Sequence, residues 1–271
     1  MSGPAKLRRT GLGSVLVAAA VLGVPTVAFA SSTTTVPAST ATTPVMADAS
    51  SVPTTLVAGA TTGAAAGEWR PPAVSVVAAA RKRLTPVYDT ATATKPFKTF
   101  DNKVNFSGRH VFLVLAQEGT SFKVQLPMRP NGRIGYVKAA DVTLYQHDYA
   151  LKVDLSEHTL VVYKAGKEIQ RDTVAVGQSK YPTPTGSFFL RELAKPGNPR
   201  GSYGPWAFGL SAYSNVLQKF GRGDGQIGIH GTNQPGALGT NASHGCIRMR
   251  NASITKLAQT LPQGVPIEIV A

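Results

Sequence analysis

"YALKVDL", residues 149–155, decides the fold class. Tyr149, Leu151, Val153 and Leu155 fall on one side of an extended chain, and Lys152 and Asp154 on the other. That period of two marks a half-buried strand. Ser156-Glu157-His158 then makes a turn, Thr159–Tyr163 returns, and Gly166 turns the chain again before a run from Ile169 to Val176. The pattern is a β-meander. Near the C-terminus the period changes once. Ile254, Leu257, Ala258 and Leu261 recur at i, i+3, i+4 and i+7, a helix stripe. Asn251 or Ser253 can cap its start, Pro262 and Gly264 end it, and Val265–Val270 is a last strand.

Working back towards the N-terminus, residues 71–146 also read as short strands. Leu84–Tyr88, His110–Leu115, Phe122–Leu126 and Ile134–Lys138 are the candidates, with turn signals at Gln117–Thr120 and at Pro130-Asn131-Gly132. Several short strands with no helical period suggest a small barrel. Their order, closed by "GYVKAADV" (135–142), resembles bacterial SH3-like domains.

Residues 31–70 are Ser, Thr, Ala, Val and Pro with almost no charge. Such a tract has too few large apolar side chains to offset chain entropy and reads as a flexible linker. Residues 1–30 read as a signal peptide. Lys6, Arg8 and Arg9 precede an uncharged apolar run, and Ala28-Phe29-Ala30 fits a small-x-small cleavage site. The alternative for this segment is an uncleaved membrane anchor. Export sets nucleic acid aside as a partner despite the net charge of +14. A basic exported chain meets anionic cell-envelope polymers instead: carboxylate-bearing peptides, phosphate polymers and lipid head groups.

Cys246 is the only cysteine, so no internal disulfide can form. A lone thiol in an exported chain is an intermolecular partner, a reactive group or a small buried hydrophobe. Its neighbours are "SHGCIRMRN", residues 243–251, with His244 two before it and Arg248 two after. Sixteen residues upstream, "IGIHGT" (227–232) carries His230 at a strand end, and a loop rich in Gly, Asn and Ser joins the two. That loop can bring His230 to Cys246. A free thiol has a pKa of about 8.5, so thiol chemistry at neutral pH needs an imidazole beside it and a third group to orient that ring. Gly245 before Cys246 permits a tight turn that aims backbone donors. A zinc site built on His230, His244 and Cys246 is the chemical rival, although His-x-Cys with one distant His is not a usual zinc spacing.

His-Gly-Thr (230–232), Ser-His-Gly-Cys-Ile-Arg-Met-Arg-Asn (243–251) and the upstream Thr-Pro-Thr-Gly-Ser-Phe (183–188) together resemble the L,D-transpeptidase catalytic domain of the YkuD type, over about residues 148–271. The resemblance implies Cys246 as nucleophile and His230 as its base. The Gly231 carbonyl would orient the imidazole, and the Gly245 and Cys246 N–H groups would form an oxyanion hole. His244 would shape the site, Arg248 would hold a substrate carboxylate or order the loop, Ser243 would hydrogen-bond at the substrate site without a chemical role, and Asn251 would be structural. It implies a mostly β protein: a small SH3-like β-barrel (71–146), then a β-sandwich-like L,D-transpeptidase catalytic domain (147–271) with one C-terminal helix. It also implies peptidoglycan stem peptides as substrate, carbapenem-type inhibitors, and no metal or organic cofactor. The acceptor stays open between a second stem (a 3→3 cross-link), water and a protein amine. A non-catalytic wall-binding scaffold is the alternative of another class. Residues 191–225, with Tyr203, Trp206 and Tyr213, are a candidate substrate-facing lid or, alternatively, an aromatic patch of the core, and His110, His147 and His158 are expected to be structural or solvated.

Overall fold

The structure is a computed structural model, described here for residues 69–102, 109–221 and 223–271. Residues 1–30, read as a signal peptide, and all but the last two residues of the expected linker lie outside the described residues. In the first part the strands are β1 (Ser75–Ala80), β2 (Leu84–Val87), β3 (Lys98–Asp101), β4 (Val111–Glu118), β5 (Ser121–Gln125), β6 (Ile134–Lys138) and β7 (Val142–His147). Five of them form an antiparallel sheet in the order β6-β5-β4-β1-β7, and β2 pairs with β3. Alternation along these strands points Val76, Ala78, Phe112, Val114, Phe122, Val124 and Val137 into one core. β1 escaped the sequence reading because "SVVAAA" has no polar alternation to mark it.

The second part holds β8 (Tyr149–Asp154), β9 (Thr159–Lys164), β10 (Lys167–Thr173), β11 (Val176–Gly177), β12 (Gly186–Ala194), β13 (Ala207–Tyr213), β14 (Gln226–His230), β15 (Asn241–Ser243), β16 (Ile247–Arg248), the helix α1 (Asn251–Thr260) and β17 (Pro266–Val270). Eight of these strands join in one sheet, in the order β10-β9-β8-β17-β12-β13-β14-β16. Leu151 of β8, Leu190 of β12, Phe208 of β13, Ile229 of β14 and Ile247 of β16 share one hydrophobic cluster with Ile254 and Leu257 of α1. A flat sheet could not bring its distant strands into one cluster, so this sheet curls over its core with the helix inside the curl. The mostly β reading with one helix therefore holds.

Two local expectations are corrected. The run Ile169–Val176 is not one strand: β10 ends at Thr173, and Val174 and Ala175 turn into the core before β11. Neither Asn251 nor Ser253 caps α1. The helix begins at Asn251 after Arg250, with no side-chain cap, and the Asn251 side chain serves the loop after β14 instead.

The two parts are packed together. On β12, Phe188 and Leu190 face the curled sheet's core, so Phe189 must face the other way. It is fully buried against Val77, Val111 and Leu113 of the first sheet. Around it, Gln125 Nε2 donates to Ser187 O (2.5 Å) and Tyr145 Oη donates to Gln263 O (2.8 Å).

Candidate active site

β14 supplies two faces. Ile227 and Ile229 enter the core, which leaves Gly228 and His230 on the opposite face. β16 pairs with it in parallel, with Ile229 opposite Ile247 and His230 opposite Arg248. Cys246 precedes Ile247, so Cys246, Arg248 and His230 share the face away from the core. All three line one cleft of about 990 Å³, together with Tyr203, Trp206 and His244. The loop that separates His230 from Cys246 in sequence closes on itself and returns the chain to the same strand edge.

His230 is 5% exposed. Its Nδ1 lies 2.6 Å from Gly231 O. A carbonyl only accepts, so Nδ1 carries the proton and Nε2 holds the free lone pair. Burial, aided by the nearby Arg248 charge, lowers its pKa to about 4 although the Gly231 bond opposes the shift. The Tyr203 ring covers the imidazole with centroids 4.6 Å apart. The next peptide is held by Asn251, whose Oδ1 accepts from Thr232 N–H at 2.8 Å. This contact needs glycine at two places. A Cβ on Gly204 would lie 2.6 Å from Gly231 Cα, and one on Gly231 would strike Asn251 Oδ1.

The turn before Cys246 is pinned from both sides. Gly245 has φ of 111°, open to glycine and rarely to other residues. The Ser243 hydroxyl accepts from Gly245 N–H (3.0 Å) and donates to Cys246 O (2.5 Å). The Gly245 N–H is therefore engaged by a hydroxyl, and an incoming oxygen would have to compete for it. Behind the turn, Thr183 Oγ1 accepts from Gly177 N–H and donates to Gly245 O, both at 2.9 Å. In the sequence, Thr183 stood out only as part of an upstream strand motif; nothing in its spacing tied it to Gly245.

Burial pushes the Cys246 thiol up from its ordinary value, while a backbone hydrogen bond from Gly228 and the Arg248 charge pull it down. Both shifts favour the neutral forms, thiol and imidazole, at neutral pH. The desolvation that lowers the histidine also disfavours the thiolate. Arg248 is fixed by its backbone, which exchanges hydrogen bonds with Ala175 (2.8 and 2.9 Å), and Nη1 reaches Gln234 Oε1 at 3.3 Å. Its Nε is buried without an acceptor among the described residues.

His244 is exposed and lies between Tyr181 and Phe220, ring centroids 4.9 and 5.4 Å away. Among the described residues no three His, Cys, Asp or Glu side chains come together as a metal site. The lid expected over 191–225 is corrected in part. Tyr203, Trp206, Leu217 and Phe220 do line the cleft. Ala207–Tyr213, however, is a strand of the curled sheet, and Tyr213 is buried, donating to Pro127 O (3.1 Å) and accepting from Arg191 Nη1 (3.0 Å). His110 and His147 are in the first sheet's region and His158 bonds Asn241, all outside the cleft.

A sequence model of the L,D-transpeptidase catalytic domain (YkuD) matches residues 148–269. The YkuD protein of Bacillus licheniformis is 32% identical over 121 residues, which are 45% of this chain and 65% of that protein. The YkuD protein of Bacillus subtilis is 31% identical over 125 residues, 46% of this chain and 68% of its own length. The chain thus spans about two thirds of these relatives. A solved structure of an L,D-transpeptidase, LdtMt1, in complex with imipenem aligns with 73% of this chain and 82% of its own at 16% identity, with a TM-score of 0.38.

Proposed function

Because the chain belongs to the YkuD family of L,D-transpeptidases, we propose that it is a cell-wall cysteine acyltransferase acting on peptidoglycan stem peptides. The observation that carries this reading is the lone cysteine on the same strand face, in the same cleft, as an imidazole whose Nε2 is free and whose Nδ1–H is fixed on Gly231 O.

In this reading Cys246 Sγ attacks the carbonyl carbon of an amide between an L-centre and D-Ala as His230 Nε2 takes the thiol proton. The tetrahedral oxygen is met by the Cys246 N–H, since the neighbouring Gly245 N–H is engaged by Ser243. Collapse expels D-Ala, whose amine takes the proton back from His230, and leaves a thioester on Cys246. An acceptor amine then attacks the thioester, His230 removes its proton, and the sulfur leaves to be reprotonated. Arg248, with a buried unpartnered Nε, offers a cation for a substrate carboxylate. No metal or organic cofactor enters any step. A carbapenem such as imipenem would acylate the same sulfur by opening its lactam.

The reading extends to the rest of the chain. Export would follow from a signal peptide over 1–30, cleaved or retained as an anchor. Residues 71–146, with eleven basic and four acidic residues, would be an SH3-like module that brings the enzyme to anionic envelope polymers. Incubation of the wild-type protein and Cys246→Ala with purified tetrapeptide muropeptides tests the reading. The expected wild-type product is a 3→3 linked dimer with release of D-Ala, and none from the variant. Tripeptide alone would mean that water is the acceptor, a carboxypeptidase. No change in either stem would overturn the enzymatic reading.

A further inference from the structure

We infer that Thr183 is a positioning residue for acylation, the group that aims the oxyanion-binding N–H; this rests on the acyl-transfer reading above. The C=O of Gly245 and the N–H of Cys246 belong to one peptide unit. In a trans peptide they point in opposite directions. Whatever holds the oxygen therefore fixes where the N–H points. Thr183 holds that oxygen, at 2.9 Å.

The hydroxyl has one proton to give, and its direction is determined. Thr183 Oγ1 accepts from Gly177 N–H, so its proton goes to Gly245 O. The contact is built in: Thr183 is 4% exposed. Gly177 is glycine because a Cβ there would strike the backbone of Tyr181, Pro182 and Thr183, and this close approach lets the hydroxyl reach its N–H. Ser243 clamps only the flanking groups, Gly245 N–H and Cys246 O. The peptide unit between them has a glycine on one side, where rotation meets little steric resistance. Thr183 selects its orientation, so that the Cys246 N–H faces away from Thr183. As negative charge grows on the substrate oxygen, the hydrogen-bonded chain from Gly177 N–H through Thr183 and the Gly245 carbonyl polarises in the favourable sense.

Two reactions of Cys246 separate this role from a merely structural one. Acylation by imipenem passes through an oxyanion. Alkylation by iodoacetamide displaces iodide at a saturated carbon and builds no oxyanion. Both are followed by intact mass, in the wild type, Thr183→Val and Thr183→Ser. Thr183→Val keeps the shape and removes the hydroxyl. It should slow acylation ~10- to 100-fold, towards the loss seen when an oxyanion donor is removed, and leave alkylation within about twofold. Thr183→Ser should restore acylation. The inference is overturned if Thr183→Val acylates at the wild-type rate, if both rates fall together, or if Thr183→Ser stays as slow as Thr183→Val. A wild-type protein that alkylates but never acylates would instead overturn the acyl-transfer reading, and the inference with it.

Discussion

His230 donates its Nδ1–H to Gly231 O across 2.6 Å, which leaves Nε2 as the basic nitrogen in the cleft that Cys246 also lines. In the proposed reaction the pair rests neutral, as the directions of both shifts favour, and the thiol proton passes to Nε2 as the substrate arrives. Iodoacetamide alkylation of Cys246 should rise only through a pH above the ordinary thiol range, with no reactive plateau at neutral pH. His230→Ala should leave that midpoint high while slowing acylation by ~100-fold or more, the scale of general-base catalysis. An alkylation midpoint below pH 7 that His230→Ala moves upward would show a resting ion pair and contradict this account.

Asn251 holds the segment after His230 through the Thr232 N–H, 2.8 Å from its Oδ1. Asn251→Ala strands that donor and should cost about 1–3 kcal/mol in denaturant unfolding, with a lower acylation rate because the Gly231 carbonyl loses its support. Asn251→Asp keeps an acceptor and should recover most of both. Equal behaviour of Asn251→Ala and the wild type would show that Gly204 and Gly231 packing suffices.

Much of this was legible in the sequence, and the limits have physical causes. The period of two at 149–155 and the helix stripe at 254–261 were readable because each element has one wet and one dry face. β1 and β12 were not, since both faces of each are covered, by the core on one side and the neighbouring sheet on the other. The cysteine, its histidine and the Gly231 carbonyl were readable because they are close in sequence to a recognisable motif. Thr183 on Gly245 O lies 62 residues away in sequence, and local pattern carries no record of such a contact. The direction of the shifts at the pair depends on burial, which only the fold reveals.

The first sheet reaches the cleft wall through Arg129. Its Nη1 donates to Asp224 O (2.8 Å) and Nη2 to Ser214 O (3.2 Å) and Leu217 O (3.0 Å); elsewhere between the two parts Phe189 is buried against Val77, Val111 and Leu113. Arg129→Ala should raise KM for a stem-peptide donor more than it lowers kcat, and leave alkylation unchanged. Arg129→Lys should recover little, because an ammonium cannot reproduce the guanidinium's planar fork. Phe189→Ala should cost about 3–5 kcal/mol of stability. An unchanged KM in Arg129→Ala would separate the first sheet from substrate binding.

Two buried histidines, His110 and His230, and the half-buried His147 make the fold sensitive to acid. His110, His147 and His230 each titrate near 4 in the folded chain, mainly because burial disfavours the cation, against about 6.5 when unfolded. Between these values the unfolded chain binds more protons, so stability falls as pH drops from 6.5 towards 4. Denaturant midpoints should be level from pH 8 to 7 and fall clearly by pH 5, less so in His147→Gln. A midpoint unchanged down to pH 5 would contradict the burial of these rings.

In the proposed reaction Cys246 carries the acyl group, and mass spectrometry of the protein with a tetrapeptide donor reads that step. A covalent adduct equal to the donor less D-Ala is expected on the peptide containing Cys246, released by hydroxylamine and absent in Cys246→Ala. Turnover by Cys246→Ala within about tenfold of the wild type, only ~1.4 kcal/mol in barrier, with no adduct on the wild-type protein, would contradict it.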